Sequence, residues 1–336
     1  MNAAPDAEPL ISILIVTYTQ HRLLASCLES VSRATRGFAT ETIVVVNGTP
    51  LEAEHRAAEA AGATLLHAPI NLGLPGGLHW ARSHARGRYL AVVQDDVVVD
   101  EHWLDALLDV LERDPTAGAV GSRILLADGS PFSDGIVVTG RGRTKLIEPM
   151  TDPGEQWAVD ACFSASCLVR ATAWDDVGGP NHRLFPNQNV DSDLGLRFAE
   201  RDWSVFVARD SSVRHARNAS TTAPLRRYLL QRNSVIMARD HVALLADRPD
   251  DLPDRNDVDQ LLAHLEHLAR RRRSSRPPVR SSRPSVPLSI LTRDARIDAR
   301  RVRLGAKLFP ARVAIFNARA RLRKLVSSAR RPERTG

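Results

Sequence analysis

YLAVVQDDVVVD, residues 89–100, is the stretch on which the fold turns. Tyr89 to Val93 make the apolar run of a strand buried on both faces, which predicts a core strand of a parallel sheet. Such a strand does not tolerate carboxylates in its interior. Asp95 and Asp96 therefore mark its carboxyl end, where the loops of an open α/β sheet form a ligand crevice. Two adjacent carboxylates repel each other and are costly to desolvate, so they need a cation or good hydrogen-bond donors to stay ionised. A hard divalent ion held by oxygen ligands meets that need and also neutralises a diphosphate. The plainer reading is a solvated turn after a strand; the segments on either side decide between the two.

Upstream, ISILIVTY (11–18) predicts a buried strand, and HRLLASCLESVSRA after it carries Leu23, Leu24, Cys27, Leu28 and Val31 at helical spacing. TIVVVNGT (42–49) is a second strand ending in a turn, LEAEHRAAEAAG a helix stopped by Gly62, and ATLLHAP a third strand. NLGLPGG (71–77) reads as a glycine-containing loop before the helix LHWARSHARG, where backbone amides and a helix N-terminus approach phosphate. It is not GxGxxG and follows the third strand, which argues against a dinucleotide-binding oxidoreductase. Downstream of Asp96, HWLDALLDVLERDP is an amphipathic helix closed by Pro115. Four strand–helix alternations predict a mostly parallel, Rossmann-like sheet flanked by helices. After Asp114, AVGSRILLADGS, GIVVTGRG, CFSASCLVR and WSVFVA are strand-like, and ATAWDDVGG and DSDLGLRFAERD are helical, completing the sheet and the acceptor side of a cleft.

The chain has 336 residues, 43% of them hydrophobic, which suffices for a real core. Cys27, Cys162 and Cys167 are odd in number and lack zinc-site spacing, so core packing in a reducing cytosol fits better than a disulfide framework. MNAAPDAEPL lacks the pattern of an export signal, and no apolar run approaches a membrane span. Residues 270–336 hold 21 Lys plus Arg against 3 Asp plus Glu, a net +18, which leaves −11 for the rest of a chain whose total is +7. The expected division is an N-terminal tail (1–9), a sheet domain (10–245), a helical extension (246–269), and an Arg-rich linker with a basic amphipathic tail (270–336).

Taken in order, VTYTQ, VVVNGT, NLGLPGG, QDDVVVDEHWL, SASCLVR, DVGG, VDSDLGLR and VRH resemble the family 2 glycosyltransferases, in their rhamnosyltransferase-like branch with the GT-A fold, over about residues 10–216. The resemblance implies an inverting transferase of cell-envelope polysaccharide synthesis. It would use a UDP- or dTDP-sugar donor, a glycan, lipid-linked or small-molecule acceptor, and Mn2+ or Mg2+. Thr17 and Tyr18 match the nucleoside-binding end of the first strand, and Asn47, Asn71, Gly73, Gly77 and Asp95 are assigned to the nucleotide sugar. Asp96 is the metal ligand, His215 reaches the metal or diphosphate, and Asp191 matches the catalytic base. Two departures stand out: Val46 occupies the place of an Asp that reads the base, and Val190 that of the acidic residue before Asp191.

Each assignment has a structural rival. Asp191 suits a helix N-cap and Asp193 first-turn charge; His215 suits a surface histidine, and Trp157 and Trp174 suit the core rather than a stacked sugar. The rival functions are a catalytically silent sugar-nucleotide-binding module and a nucleotidyltransferase, although VTYTQHR lacks the latter's glycine signature. For 270–336 the expectation is an interfacial helix on an anionic membrane surface, interrupted at Pro310. A tail docked on the acidic body is the rival, and no specific nucleic acid is expected.

Overall fold

A computed structural model describes residues 10–18, 21–48, 51–152, 154–216, 221–273 and 286–329. Strands β1 (Ile11–Thr17), β2 (Thr40–Asn47), β3 (Thr64–Ala68) and β4 (Tyr89–Gln94) alternate with helices α1 (His21–Ala34), α2 (Glu52–Ala60) and α3 (Gly73–His84). The four strands are parallel, in the order β3-β2-β1-β4. Ile11, Ile13, Leu14 and Ile15 have no exposed surface, as a strand covered on both faces requires.

The chain continues through β5 (Val97–Val99), α4 (Trp103–Arg113), β6 (Ala117–Leu125), β7 (Pro131–Ser133), β8 (Ile136–Val138), β9 (Thr144–Leu146), β10 (Gln156–Val159), β11 (Ser166–Arg170) and α5 (Ala171–Val177). It ends with α6 (Val190–Glu200), β12 (Ser204–His215), α7 (Ala223–Asp240), α8 (Val242–Leu245), α9 (Arg255–Arg273) and α10 (Leu288–Ala329). This half does complete the sheet, to ten strands in all, with β12 parallel to β6 but the other pairings antiparallel: β11 inserts between β4 and β6, antiparallel to both. GIVVTGRG departs from expectation. Its strand β8 pairs with β9 in a separate two-stranded sheet, joined by an isolated bridge from Ile136 to Ala161. β12 slips register against β6 between Val207 and Ser212, a bulge that lets its far end turn to pair with β5.

The boundaries expected at 246 and 270 do not separate packed units. α9 runs through to Arg273 and buries Val258, Leu261, Leu265 and Ala269 in the main core. The Arg272 guanidinium donates to the carbonyls of Trp203 and Ala199, and Arg273 pairs with the buried Asp114 at 2.9 Å. α10 docks too: Leu291, Ala295 and Val302 pack with Leu72, Phe185 and Leu229 in a second cluster. The helix continues through Pro310 instead of stopping there. The expected N-terminal tail, residues 274–285 of the linker and the last residues 330–336 lie outside the described residues. Among those described, no helix is long and apolar enough to cross a membrane.

Candidate active site

Four strand ends and one loop build the first wall of the site. Thr17, at the end of β1, is fully buried, while Tyr18 after it is 43% exposed on the rim. Asn47 closes β2 and is committed to the fold: its amide donates to the Gly73 carbonyl at 3.2 Å and its oxygen accepts the Leu72 N–H at 3.1 Å. Asn71 accepts the Gly73 N–H at 2.7 Å, and the Leu74 N–H goes to the Pro186 carbonyl at 2.7 Å. The glycines are thus not a loop before the helix, as the sequence suggests. Gly73 opens α3 with φ of 70°, and Gly77 lies within it, where a Cβ would stand 2.6 Å from Val16 Cγ1. Gly77 permits close packing of α3 on β1, and the three backbone donors expected at phosphate are spent inside the protein.

The carboxylate pair sits in the turn between β4 and β5. Burial, above all, raises the Asp95 pKa to about 7. The Asp96 charge pushes the same way, while the Thr17 hydroxyl and the Tyr18 backbone act against it. β12 delivers His215: its backbone is in register with Val97, the Ala216 N–H donates to the Asp96 carbonyl, and His215 Nε2 lies 3.1 Å from Asp96 Oδ1. That contact lacks hydrogen-bond alignment, and Asp96 Oδ1 is a buried oxygen with no hydrogen-bond partner among the described residues. An orphaned carboxylate oxygen beside an imidazole fits a hard divalent ion that takes its other ligands from substrate phosphates and water. No group of three or more His, Cys, Asp or Glu side chains among the described residues is placed to hold a metal, so the protein offers this pair.

Asp191 stands across the cleft in the first turn of α6. The cap position is Asn189, not Asp191. The turn before α6 is held in an unusual conformation, with Gln188 and Asn189 at φ of 69° and 59°. The fully buried Asn233 of α7 fixes it by donating to the carbonyls of Asn187 (3.0 Å) and Gln188 (2.8 Å). Asp191 Oδ1 accepts the Ser192 N–H at 2.9 Å. Burial raises its pKa above the ordinary carboxylate value, opposed by the Ser192 and Ser164 backbone donors.

Asp193 does lie in the first turn of α6, where it has no exposed surface. It bonds His241 Nε2 (3.2 Å) and the Asn181 amide (3.3 Å), while His241 Nδ1 reaches Glu200 at 2.8 Å. For His241, burial lowers the pKa, but the Asp193 and Glu200 carboxylates outweigh it and hold the pKa above the usual value. A raised pKa in the folded state stabilises the fold fully below the unfolded value, near 6.5, and that contribution is lost as pH rises through the folded value. The melting temperature of the wild type is therefore expected to fall more steeply from pH 6.5 upward than that of His241→Gln. Parallel pH profiles in a thermal melt would show that folding leaves the imidazole pKa unshifted and overturn this reading.

These groups line two adjoining cavities. The first, of about 1070 Å³, is bordered by Tyr18, Asn47, Asn71, Gly73, Asp95 and Asp96. The second, of about 430 Å³, holds Asp191, His215, Ser164 and Asn187, with apolar walls from Phe132, Phe163 and Leu230. Gln94 and Asp96 line both. Thr17, Gly77 and Val46 line neither, and Val46 is 2% exposed in the core, so an Asp there would be buried rather than presented to a ligand. Trp157 and Trp174 are core residues, 5% and 1% exposed. Sequence reasoning missed Asn233; it marked α10 as basic and amphipathic but did not place its basic face at the larger cavity, which it borders with Arg296, Arg300, Arg303 and Lys307. The spacing i, i+4, i+7, i+11 is the signal that marks those four as one helical face.

Residues 12–171 match the family model described as Glycosyl transferase family 2. The O-antigen biosynthesis protein RfbC of Myxococcus xanthus is 30% identical over 156 residues, 43% of this chain and 12% of that protein. An N-acetylglucosaminyl-diphospho-decaprenol L-rhamnosyltransferase of Mycobacterium tuberculosis is 31% identical over 161 residues, 39% of this chain and 50% of that one. The chain thus spans half or less of these relatives. The mannosyltransferase PcManGT from Pyrobaculum calidifontis, solved with GDP-Man and Mn2+, superposes with a TM-score of 0.52 at 15% identity, over 93% of this chain and 81% of that one. At that identity the likeness shows the fold, which is GT-A.

Proposed function

We infer, for a chain whose residues 12–171 match glycosyl transferase family 2, that it transfers a sugar from a nucleoside-diphosphate donor in the larger cavity to a hydroxyl held in the smaller one, with inversion. One observation carries the reading: the two cavities meet at Asp96 and Gln94, with Asp95 lining only the larger and Asp191 only the smaller.

Asp191 takes the proton of the acceptor hydroxyl. Its raised pKa suits a general base, whose efficiency is greatest when its pKa approaches the working pH. The oxygen then attacks the anomeric carbon from the face opposite the diphosphate, and a single displacement inverts the configuration. Asn233 and the turn it fixes set the position of Asp191, and the His241–Asp193–Asn181 network holds α6. Asp96 and His215 are the residues to hold Mn2+ or Mg2+, which when bound neutralises the departing diphosphate. The apolar walls around Asp191 suit the flat face of a sugar in a glycan or lipid-linked acceptor.

The test is a panel of UDP-, dTDP- and GDP-sugars with Mn2+ or Mg2+, read as nucleotide release. At least one donor is expected to turn over only with metal present. Donor binding without release across the panel would favour the silent sugar-nucleotide-binding module.

A further inference from the structure

We propose that the basic face of α10 is the diphosphate-binding wall of the donor cavity, with Arg296, Arg300, Arg303 and Lys307 engaging the phosphates of the nucleotide. This deepens the proposed function and rests on its placement of the donor in the larger cavity.

The four residues recur at helical spacing, so they form one stripe about 16 Å long at 1.5 Å per residue. The neighbouring stripe of the same helix, Leu291, Ala295 and Val302, is buried against Leu72, Phe185 and Leu229, which fixes which way the basic stripe faces. All four cations border the cavity that Asp95, Asp96 and Asn71 also border.

Their charge is uncommitted. Arg293 and Arg301 on the same helix pair with Asp294 and Asp298, at 3.2 and 3.4 Å. None of the four has an ion pair among the described residues. Like charges one turn apart repel one another, and a polyanion between them relieves that repulsion.

The acidic part of the lining creates the matching need. Asp95 and Asp96 repel a diphosphate, and one divalent ion at Asp96 and His215 offsets little more than their own charge. The Leu72, Gly73 and Leu74 N–H groups, which elsewhere cradle phosphates at a helix start, are bonded to Asn47, Asn71 and Pro186. Among the described residues, the Arg and Lys side chains that border this cavity, and so could balance the phosphates, are those of α10. A basic stripe turned into the cavity is also not free for a membrane, so while docked this part of the helix does not perform the interfacial role expected for 270–336.

Isothermal titration of UDP and dTDP, with Mn2+ and with EDTA, tests the proposal. Removing all four cations together, as Arg296→Ala, Arg300→Ala, Arg303→Ala and Lys307→Ala, is expected to weaken both nucleotides about tenfold or more, since charge-assisted contacts to phosphate are strong. Uridine, which has no phosphate, should bind variant and wild type equally and so shows that the cavity remains intact. Arg293→Ala with Arg301→Ala serves as a charge control on the same helix, at residues that do not border the cavity, and should leave UDP affinity unchanged. Wild-type affinity for UDP in EDTA should fall as salt is raised, and that slope should flatten in the fourfold variant.

Unchanged UDP affinity in the fourfold variant overturns the proposal. So does a variant that keeps UDP but loses farnesyl diphosphate, because the stripe then serves a lipid diphosphate acceptor. If the wild type turns over a nucleotide sugar and only the variant result fails, the α10 proposal falls alone. If the wild type binds none of UDP, dTDP and GDP, the donor reading falls with it.

Discussion

Asp191→Asn is expected to bind the donor nucleotide as the wild type does and to transfer sugar about 10² to 10⁴ times more slowly, the usual scale of general-base catalysis. The substitution keeps the shape and the hydrogen bond to the Ser192 N–H but removes the acceptor of the proton. Helix capping cannot account for such a loss, because Asn189 holds that position and Asn is a good cap in any case. Asp191 lines the cavity that excludes Tyr18, Asn47 and Asn71, so nucleotide affinity should not move. A variant with unchanged melting temperature, unchanged UDP affinity and near-normal release from the best donor would remove Asp191 from the chemistry. If the burial-raised pKa controls the rate, wild-type turnover should also rise with pH through a value above the ordinary carboxylate range, and the Asn variant should show no such limb.

The parallel half of the fold was legible because its signal is local. Tyr89–Gln94 and Ile11–Thr17 are continuous apolar runs, and a strand buried on both faces leaves no other trace. The carboxylate pair was legible for the same reason, since it breaks such a run at its end. The antiparallel half was less so, because β11 reaches its place between β4 and β6 through pairings that no periodicity in SCLVR encodes. His215 shows the limit most clearly: it meets Asp96 through the register of β12 on β5, a long-range match visible in sequence only by resemblance. The glycines of NLGLPGG were misread because a glycine before a helix and a glycine inside its first turns look alike in sequence. What separates them is Val16, against which Gly77 packs.

α10 was misread for a different reason. A helix with Leu, Ile and Val on one side and Arg on the other has the same amphipathic signature at a bilayer surface and over an acidic cavity. Composition does not distinguish the two partners; the match of Leu291, Ala295 and Val302 to Leu72, Phe185 and Leu229 does.

Asp96→Ala is expected to abolish metal-dependent binding of the nucleotide while leaving the free protein at least as stable as the wild type. The two halves of that expectation have separate causes. Asp96 Oδ1 is buried, has no hydrogen-bond partner among the described residues and sits beside Asp95, whose pKa burial and the Asp96 charge together raise to about 7. A group so placed costs the fold stability, and losing it relieves Asp95 of like-charge repulsion. The wild type offsets that cost only when a cation and the diphosphate are present. At a ligand concentration of about 100 Kd, binding to the folded state adds about 2.7 kcal/mol, several degrees in a melt of a domain this size. UDP with Mn2+ should therefore raise the melting temperature of the wild type by several degrees more than UDP with EDTA, and in Asp96→Ala that difference should vanish. His215→Ala should reduce the same difference without raising the stability of the free protein, because it removes one ligand and leaves the repelling pair. A free Asp96→Ala protein that melts well below the wild type would assign Asp96 a structural role, and a retained Mn2+ dependence would place the metal elsewhere.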